Sequence, residues 1–438
     1  MTISHRELEE VLGGQLSELD WRHLSTIVNA ATEESEILDF KQAFDQGPSA
    51  DMEFAKDLCA FANARGGALV FGVREENGCA KEITPIEFSQ GKEQQLRSWA
   101  HGRVFPSPEI EIQRIPSVDD ANRGCLLVVV ARSARQPHAV QKERDAGLRY
   151  VVRVGRDTRT LTESEVAQRY GERFSGVEAR VERIAAVGKA QLGLRLEDSY
   201  CWVTLSLVPE VPGRFEISSS TLKQLETRAR QIDSPRGLFR GVGTPEVRAG
   251  LRRARLTALT REGKPFDGYF EFHSDGAAFA GRQVFMPQGR PQLPVQNEVA
   301  PTILGSSLCM EVARCLRRAA EHSKGAGCSG AALAKVNVVA PPGTRLGLTR
   351  YEALFYHPSD PVPERFDPPS ISIVLDEALS TPQALMVLTR LLLLDLFNVC
   401  GLPDVNPIHA DGSLNTSEGS ESSLLQWRDL NDVPRRPA

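Results

Sequence analysis

The chain comprises 438 residues, 41% hydrophobic and 25% charged, with a formal net charge of −5. That length holds two or three domains, and the balance excludes a uniformly basic nucleic-acid coat while permitting a local basic face. The eight cysteines are scattered and residues 1–25 are polar and acidic with no leader signal, so reduced thiols and a cytoplasmic location are expected.

Residues 5–30 read as two short helices. Leu8, Val11 and Leu12 form one apolar stripe, and Leu16, Leu19, Leu24, Ile27 and Val28 the next, with Ser17 as candidate cap. Ile37 and Phe40 then alternate with Asp39 as in a strand. Residues 51–64 carry Phe54, Leu58, Phe61 and Ala62 at helical spacing, and Gly66-Gly67 stop that helix. Residues 68–73 suffice for one buried strand, and Glu76-Asn77-Gly78 makes a turn. Residues 89–103 predict a helix that Pro106 and Pro108 end. Ile110 and Ile112 belong to a half-exposed strand, residues 125–130 to a central strand, residues 150–154 to another, and residues 163–174 to a helix.

A linker helix is expected over residues 176–199. Beyond it, residues 200–209 open a second domain with strands expected at 246–259, 268–273, 276–286, 332–340, 352–356 and 369–376. Asp275-Gly276 is a hairpin signal. Helices are expected at 219–232, 300–322 and 381–400. The last is the most apolar stretch, but Arg390 and Asp395 interrupt it, which favours a buried helix over a membrane span. Pro, Gly, Ser and Asn dominate after residue 402 and predict a disordered tail, with Leu424-Leu425-Gln426-Trp427 as a docking motif within it. The order of elements lacks regular βαβα alternation, so the fold class is α/β of the α+β kind. The expected organisation is an N-terminal helical extension (1–30), a mixed-sheet domain (31–175), the linker, an α+β domain with antiparallel strands (200–402) and the tail (403–438).

Three carboxylates bracket the first domain's central helix: Glu34 and Asp39 around the first strand, and Glu75 at the end of the second. If the strands are neighbours, these acids converge on one metal-sized space. Carboxylates holding Mg²⁺ or Mn²⁺ activate water and offset charge on a transferring phosphate. Lys41, two residues after Asp39, shares its strand face and suits charge neutralisation on the phosphate. Acids at strand ends are also ordinary surface residues, as Glu33, Glu36 and Glu76 illustrate.

Residues 123–159 carry nine bases against three acids. Arg132, Arg135, Lys142, Arg144, Arg149, Arg153, Arg156 and Arg159, joined by His138, are candidate phosphate contacts. The competing reading is a solvated basic loop, with Arg153 paired to a carboxylate of the acidic set. No aromatic ladder accompanies the bases in sequence, which disfavours base stacking. Cys309, Cys315, His322 and Cys328 lack knuckle spacing and are expected to pack rather than bind zinc. There is no Gly-x-x-x-x-Gly-Lys-Ser/Thr phosphate loop.

Four ordered motifs carry a resemblance. Glu34-Ser35-x-x-x-Asp39-Phe40-Lys41, Ala60-Phe61-Ala62-Asn63-x-x-Gly66-Gly67, Phe71-Gly72-Val73 and Tyr150-x-x-Arg153-x-Gly155-x-x-Thr158 resemble the Schlafen AlbA-like domain family over about residues 30–175. The resemblance implies nucleic-acid binding and a divalent-metal-dependent endonuclease acting on RNA, tRNA included, or on DNA. In nuclease-active members, three acids at the positions of Glu34, Asp39 and Glu75 hold the metal. This chain departs by a shorter second acid and a longer third. A non-catalytic DNA- or RNA-binding regulator and a ligand- or partner-sensing protein are the alternatives. A homodimer is also implied, because only one copy of the domain is evident.

Overall fold

The computed structural model describes residues 3, 5–45, 47–141, 147–192, 201–229, 244–259, 265–284, 302–339, 347–352, 355–358, 365–415 and 435–436. The chain divides into two compact units, 1–179 and 180–438. Both are α+β.

In the first unit, helices α1 (Arg6–Leu12) and α2 (Trp21–Asn29) precede strand β1 (Leu38–Lys41), helix α3 (Ala50–Ala62) and strand β2 (Gly67–Phe71). Strands β3 (Val73–Glu76), β4 (Cys79–Ile83) and β5 (Ile86–Glu87), helix α4 (Gln90–Arg103) and strands β6 (Val104–Phe105), β7 (Ile110–Pro116) and β8 (Arg123–Val130) follow. Strands β9 (Ala139–Gln141), β10 (Leu148–Arg149), β11 (Val151–Val154) and β12 (Asp157–Thr160) lead into helix α5 (Glu163–Leu192). The main sheet runs β1-β2-β8-β5, with β7 also on β8. β1 and β2 are parallel, and β8 is antiparallel to its neighbours.

β2 and β8 are continuous apolar runs because helices cover both faces of this sheet. Ala68, Val70, Leu127 and Val129 face Leu8, Leu24 and Ile27 of α1 and α2. Leu69, Phe71, Leu126 and Val128 face Phe54, Leu58, Phe61 and Leu96 of α3 and α4. The cap of α2 is Asp20, not Ser17. The Asp20 carboxylate accepts from the Arg22 and His23 amides, and the His23 ring reaches the Asp20 amide.

Residues 68–73 are not one strand. Gly72 has φ +94, and a Cβ there would lie 3.0 Å from the Gly124 carbonyl, so β2 ends at Phe71 and Val73 starts the β3–β4 hairpin. Nor does α5 stop at Phe174 before a linker: one helix runs unbroken to Leu192.

The second unit is built on an eight-stranded sheet. Cys201–Val211 lies at its centre, antiparallel to Ala278–Val284 and to Ser329–Val339. The single strand expected at 246–259 is a hairpin, Thr244–Gly250 and Arg253–Leu259, turned at Arg252 with φ +53. Helices Gly305–Gly325 and Pro382–Val399 pack Leu308, Val312, Leu385, Leu393 and Phe397 on one face of the sheet. Pro382–Val399 has the length and composition of a membrane span, and here these side chains fill the core. Cys309, Cys315 and Cys328 pack there outside any disulfide. The expected disorder does not begin at 403: Val405, Ile408 and Leu414 join that core. Residues 424–427 lie outside the described residues.

Candidate nucleic-acid interface and the acidic residues beside it

β1 presents Asp39 and Lys41, and Lys41 Nζ lies 2.9 Å from Asp39 Oδ2 and 3.3 Å from Asp57 Oδ2 of α3. The other Asp39 oxygen accepts from Arg153 Nη2 at 2.9 Å. Arg153 reaches back from β11 and is 2% exposed. Its Nε donates to the Ser35 carbonyl at 2.8 Å, and its guanidinium lies 4.9 Å from the Phe61 ring centroid. Burial works against the Lys41 ammonium, but the Asp57 and Asp39 carboxylates override it and hold its pKa above the ordinary lysine value. Burial raises Asp57, opposed by Lys41. Removing one partner from a buried set of this kind would leave an uncompensated charge.

Glu34 and Glu75 meet at the β3–β4 turn. Glu34 Oε1 accepts from the Phe40 amide at 2.9 Å, and Glu75 Oε2 accepts from the Gly78 amide at 2.7 Å. The Glu34 amide donates to the Gly78 carbonyl at 2.7 Å. Burial pushes the Glu34 pKa up; the Phe40 amide opposes, and Asp39 and Glu75 add repulsion. Glu34 therefore feels both of the other acids. Yet among the described residues no three His, Cys, Asp or Glu side chains are grouped to hold a metal ion. The acids as arranged do not fit a divalent cation: Asp39 is engaged by two cations, and Glu34 and Glu75 by backbone amides.

Arg132, Arg135, Arg149, Arg156 and Arg159 are exposed. Arg159 is ion-paired with Glu165 at 2.6 Å. Among the described residues, Arg135, Arg149 and Arg156 hydrogen-bond neutral oxygens, of Ser107, Thr160 and Asn77 respectively. Arg156 thereby sits on the turn that also carries Glu75. Among the described residues, none of Arg132, Arg135, Arg149 and Arg156 has a carboxylate at ion-pair distance. Lys142 and Arg144 lie outside the described residues.

His138 is not a surface residue. It is 0% exposed, with Nδ1 donating to the Pro106 carbonyl at 2.6 Å and Nε2 accepting from the Ser133 hydroxyl at 2.8 Å. Burial pushes its pKa down to about 4, so the ring is neutral and offers phosphate no charge. Arg153 is likewise withdrawn from the surface by its Asp39 pairing.

A cavity of about 430 Å³ opens beside Arg153, lined by Arg65, Arg153, Arg159 and Arg169 and by Glu36, Glu165 and Glu172. Three of its four cations are paired with carboxylates, Arg153 with Asp39 among them, and the fourth, Arg169, is part-buried on neutral oxygens. Arg65 pairs with Glu7, Arg159 with Glu165, and Arg169 donates to the Asn63 carbonyl and the Gln136 side chain. The outward arginines are the better phosphate ligands.

Sequence reasoning missed Asp57 and Asn63. Asp57 falls between Phe54 and Phe61 on the apolar face of α3, and an acid inside such a stripe is the signal that marks it. Asn63 Nδ2 donates to the carbonyls of His138 and Val151, while its Oδ1 accepts from the His138 amide. The motif asparagine thus ties α3 to the loop before β9 and to β11.

The first unit is thus an α+β domain whose main sheet is covered on both faces, with exposed arginines on the loop after β8, on β10 and at the β11–β12 turn. Residues 34–162 match the family described as Schlafen, AlbA_2; this segment is a Schlafen AlbA-like domain, with a nucleic-acid-related role. None of the curated proteins compared matches the chain. Among solved structures, the DIP2311 protein from Corynebacterium diphtheriae is similar at 18% identity over 33% of this chain, with a TM-score of 0.23. The match spans 27% of that protein's length.

Proposed function

We propose that the first unit binds nucleic acid through its phosphate backbone, as a non-catalytic DNA- or RNA-binding module. The observation that carries this is the set of exposed arginines, Arg132, Arg135, Arg149 and Arg156, free of carboxylate partners among the described residues. Lys41 and Arg153 also quench the Asp39 charge that would repel phosphate. The test is fluorescence anisotropy of the full chain with labelled RNA and DNA in chelator, across a salt series. Affinity should fall with salt, and changing the four arginines to alanine should flatten the slope by roughly 0.7–0.9 for each phosphate no longer neutralised. Absence of binding in chelator, or an unchanged slope in the variant, would sink the reading.

The repulsion that Asp39 and Glu75 exert on Glu34 favours a second reading, cleavage dependent on Mg²⁺ or Mn²⁺. It requires the three carboxylates to leave their present partners. Incubation of the chain with tRNA, single-stranded RNA and duplex DNA, with either metal or chelator, tests it. Glu75→Gln is the informative variant, since Asp39→Ala would also strand Arg153. Metal-dependent cutting lost in Glu75→Gln would replace the first reading; no cutting with binding retained would support it.

A further inference from the structure

We propose that Tyr150, Tyr170 and Phe174 form a stacking platform for unpaired nucleobases, so that the ligand of the first unit is a single strand. This rests on the nucleic-acid-binding reading above. The sequence hides the platform, because Tyr150 precedes the helix that carries the other two residues. The fold assembles it. Tyr170 and Phe174, four residues apart on α5, share a face and stack with ring centroids 6.3 Å apart and 19° between planes. Tyr150 meets Tyr170 edge-on at 6.3 Å and 77°, their hydroxyl oxygens 3.2 Å apart. The outer ring, Phe174, is 65% exposed. Phe174 is therefore backed by Tyr170 while most of its surface is open to solvent, as a stacking partner for a base requires.

Two cations lie next to the rings in the chain: exposed Arg149, whose guanidinium bonds the Thr160 hydroxyl, precedes Tyr150, and Arg173 precedes Phe174. Arg135 and Arg173 both lie close enough to the His138 ring to act on its charge, so the loop after β8 and this part of α5 share one positive neighbourhood. Glu178 lies one turn beyond Phe174, so the strand is expected to run from Phe174 toward Arg149 rather than along the helix. A second copy of the chain fits this face less well. A two-fold contact would set the same arginines against each other.

The experiment compares short oligo(dT) and oligo(U), an abasic oligonucleotide and a duplex of equal length, all bound to the full chain. The variants are Phe174→Leu, which keeps an apolar side chain, and Phe174→Ala. Thermal melts should match wild type, because the ring is mostly exposed. Either variant should weaken single-strand binding about five- to a hundredfold and leave the duplex, whose base faces are already stacked, within about twofold. The abasic oligonucleotide should bind wild type and variants equally. Unchanged single-strand affinity in the variants, with arginine replacement still weakening binding, would overturn the platform and spare the phosphate-binding reading. Failure of wild type to bind any oligonucleotide would overturn both. A variant that turns a dimer into a monomer without loss of binding would assign the platform to a second copy and overturn the proposal.

Discussion

Replacing Asp39 by alanine strands Arg153, whose guanidinium is 2% exposed and has Asp39 as its carboxylate partner at 2.9 Å. An uncompensated buried charge costs about 3–5 kcal/mol, so Asp39→Ala should lower the unfolding free energy by that order in urea titration. A loss below about 1 kcal/mol would show that water reaches the guanidinium. The cost should shrink when both partners go: Asp39→Ala with Arg153→Met should lose less than the two single changes together, because nothing charged is then left unpaired. Lys41 keeps Asp57 at 3.3 Å in either case. The residue that the family resemblance marks as a metal ligand is, in this fold, a structural counter-ion. Any activity lost on its removal must be read against folding.

Gly67 shows how an element boundary rests on one backbone position. Its φ is +151, and a Cβ there would sit 2.5 Å from the Ile37 carbonyl and 2.6 Å from the Phe61 ring. Both neighbours belong to the packed core between β1 and α3, so neither gives way cheaply. Gly67→Ala should therefore destabilise the protein by more than about 1 kcal/mol. Gly102→Ala, inside α4 with open space around it, should gain about 1 kcal/mol from helix propensity. Equal effects in thermal melts would refute this account. The sequence made α3, the Gly66-Gly67 stop and the apolar run of β8 legible, because periodicity and glycine chemistry act locally. It did not reveal the break at Gly72, since that depends on the Gly124 carbonyl across the sheet. Nor did it reveal the length of α5: Ser175-Gly176 look like a stop, yet the Ser175 hydroxyl bonds the Gly171 carbonyl within the helix. Residues 403–415 looked disordered by composition, but Val405, Ile408 and Leu414 suffice to anchor them. At the site, acid spacing gave the shared neighbourhood of Glu34, Asp39 and Glu75. The partners that occupy them come from distant segments, and so do the three rings of the platform.

Each unit holds a histidine whose pKa burial lowers, and each of the two weakens the fold in acid. His138 in the first unit and His322 in the second have pKa values pushed down to about 4 by desolvation, with a carbonyl bond opposing in each case. The His322 ring is half-buried, 4.8 Å from Phe215 and 5.0 Å from Phe272. An unfolded histidine titrates near pH 6.5. Below that pH the unfolded chain binds protons that the folded chain does not, so stability is full above about 6.5 and falls toward pH 4. For fully buried His138 the loss is of order 3 kcal/mol by pH 4. Glu34 and Asp57 act in the opposite sense, because their raised pKa values let the folded state take up protons. The direct measurement is therefore the ring resonances of His138 and His322 by NMR, which should not titrate between pH 8 and 5; a midpoint above 6 in either would refute the assignment. Binding follows from the same chemistry. Arginine and phosphodiester keep their charges throughout this range, and neutral His138 contributes none. Affinity for an oligonucleotide should thus be flat from pH 8 to 6 and decline in acid only as the fold does. A tenfold tightening over that interval would mean that a titrating group sits in the interface, and that the exposed arginines are not what holds the phosphates.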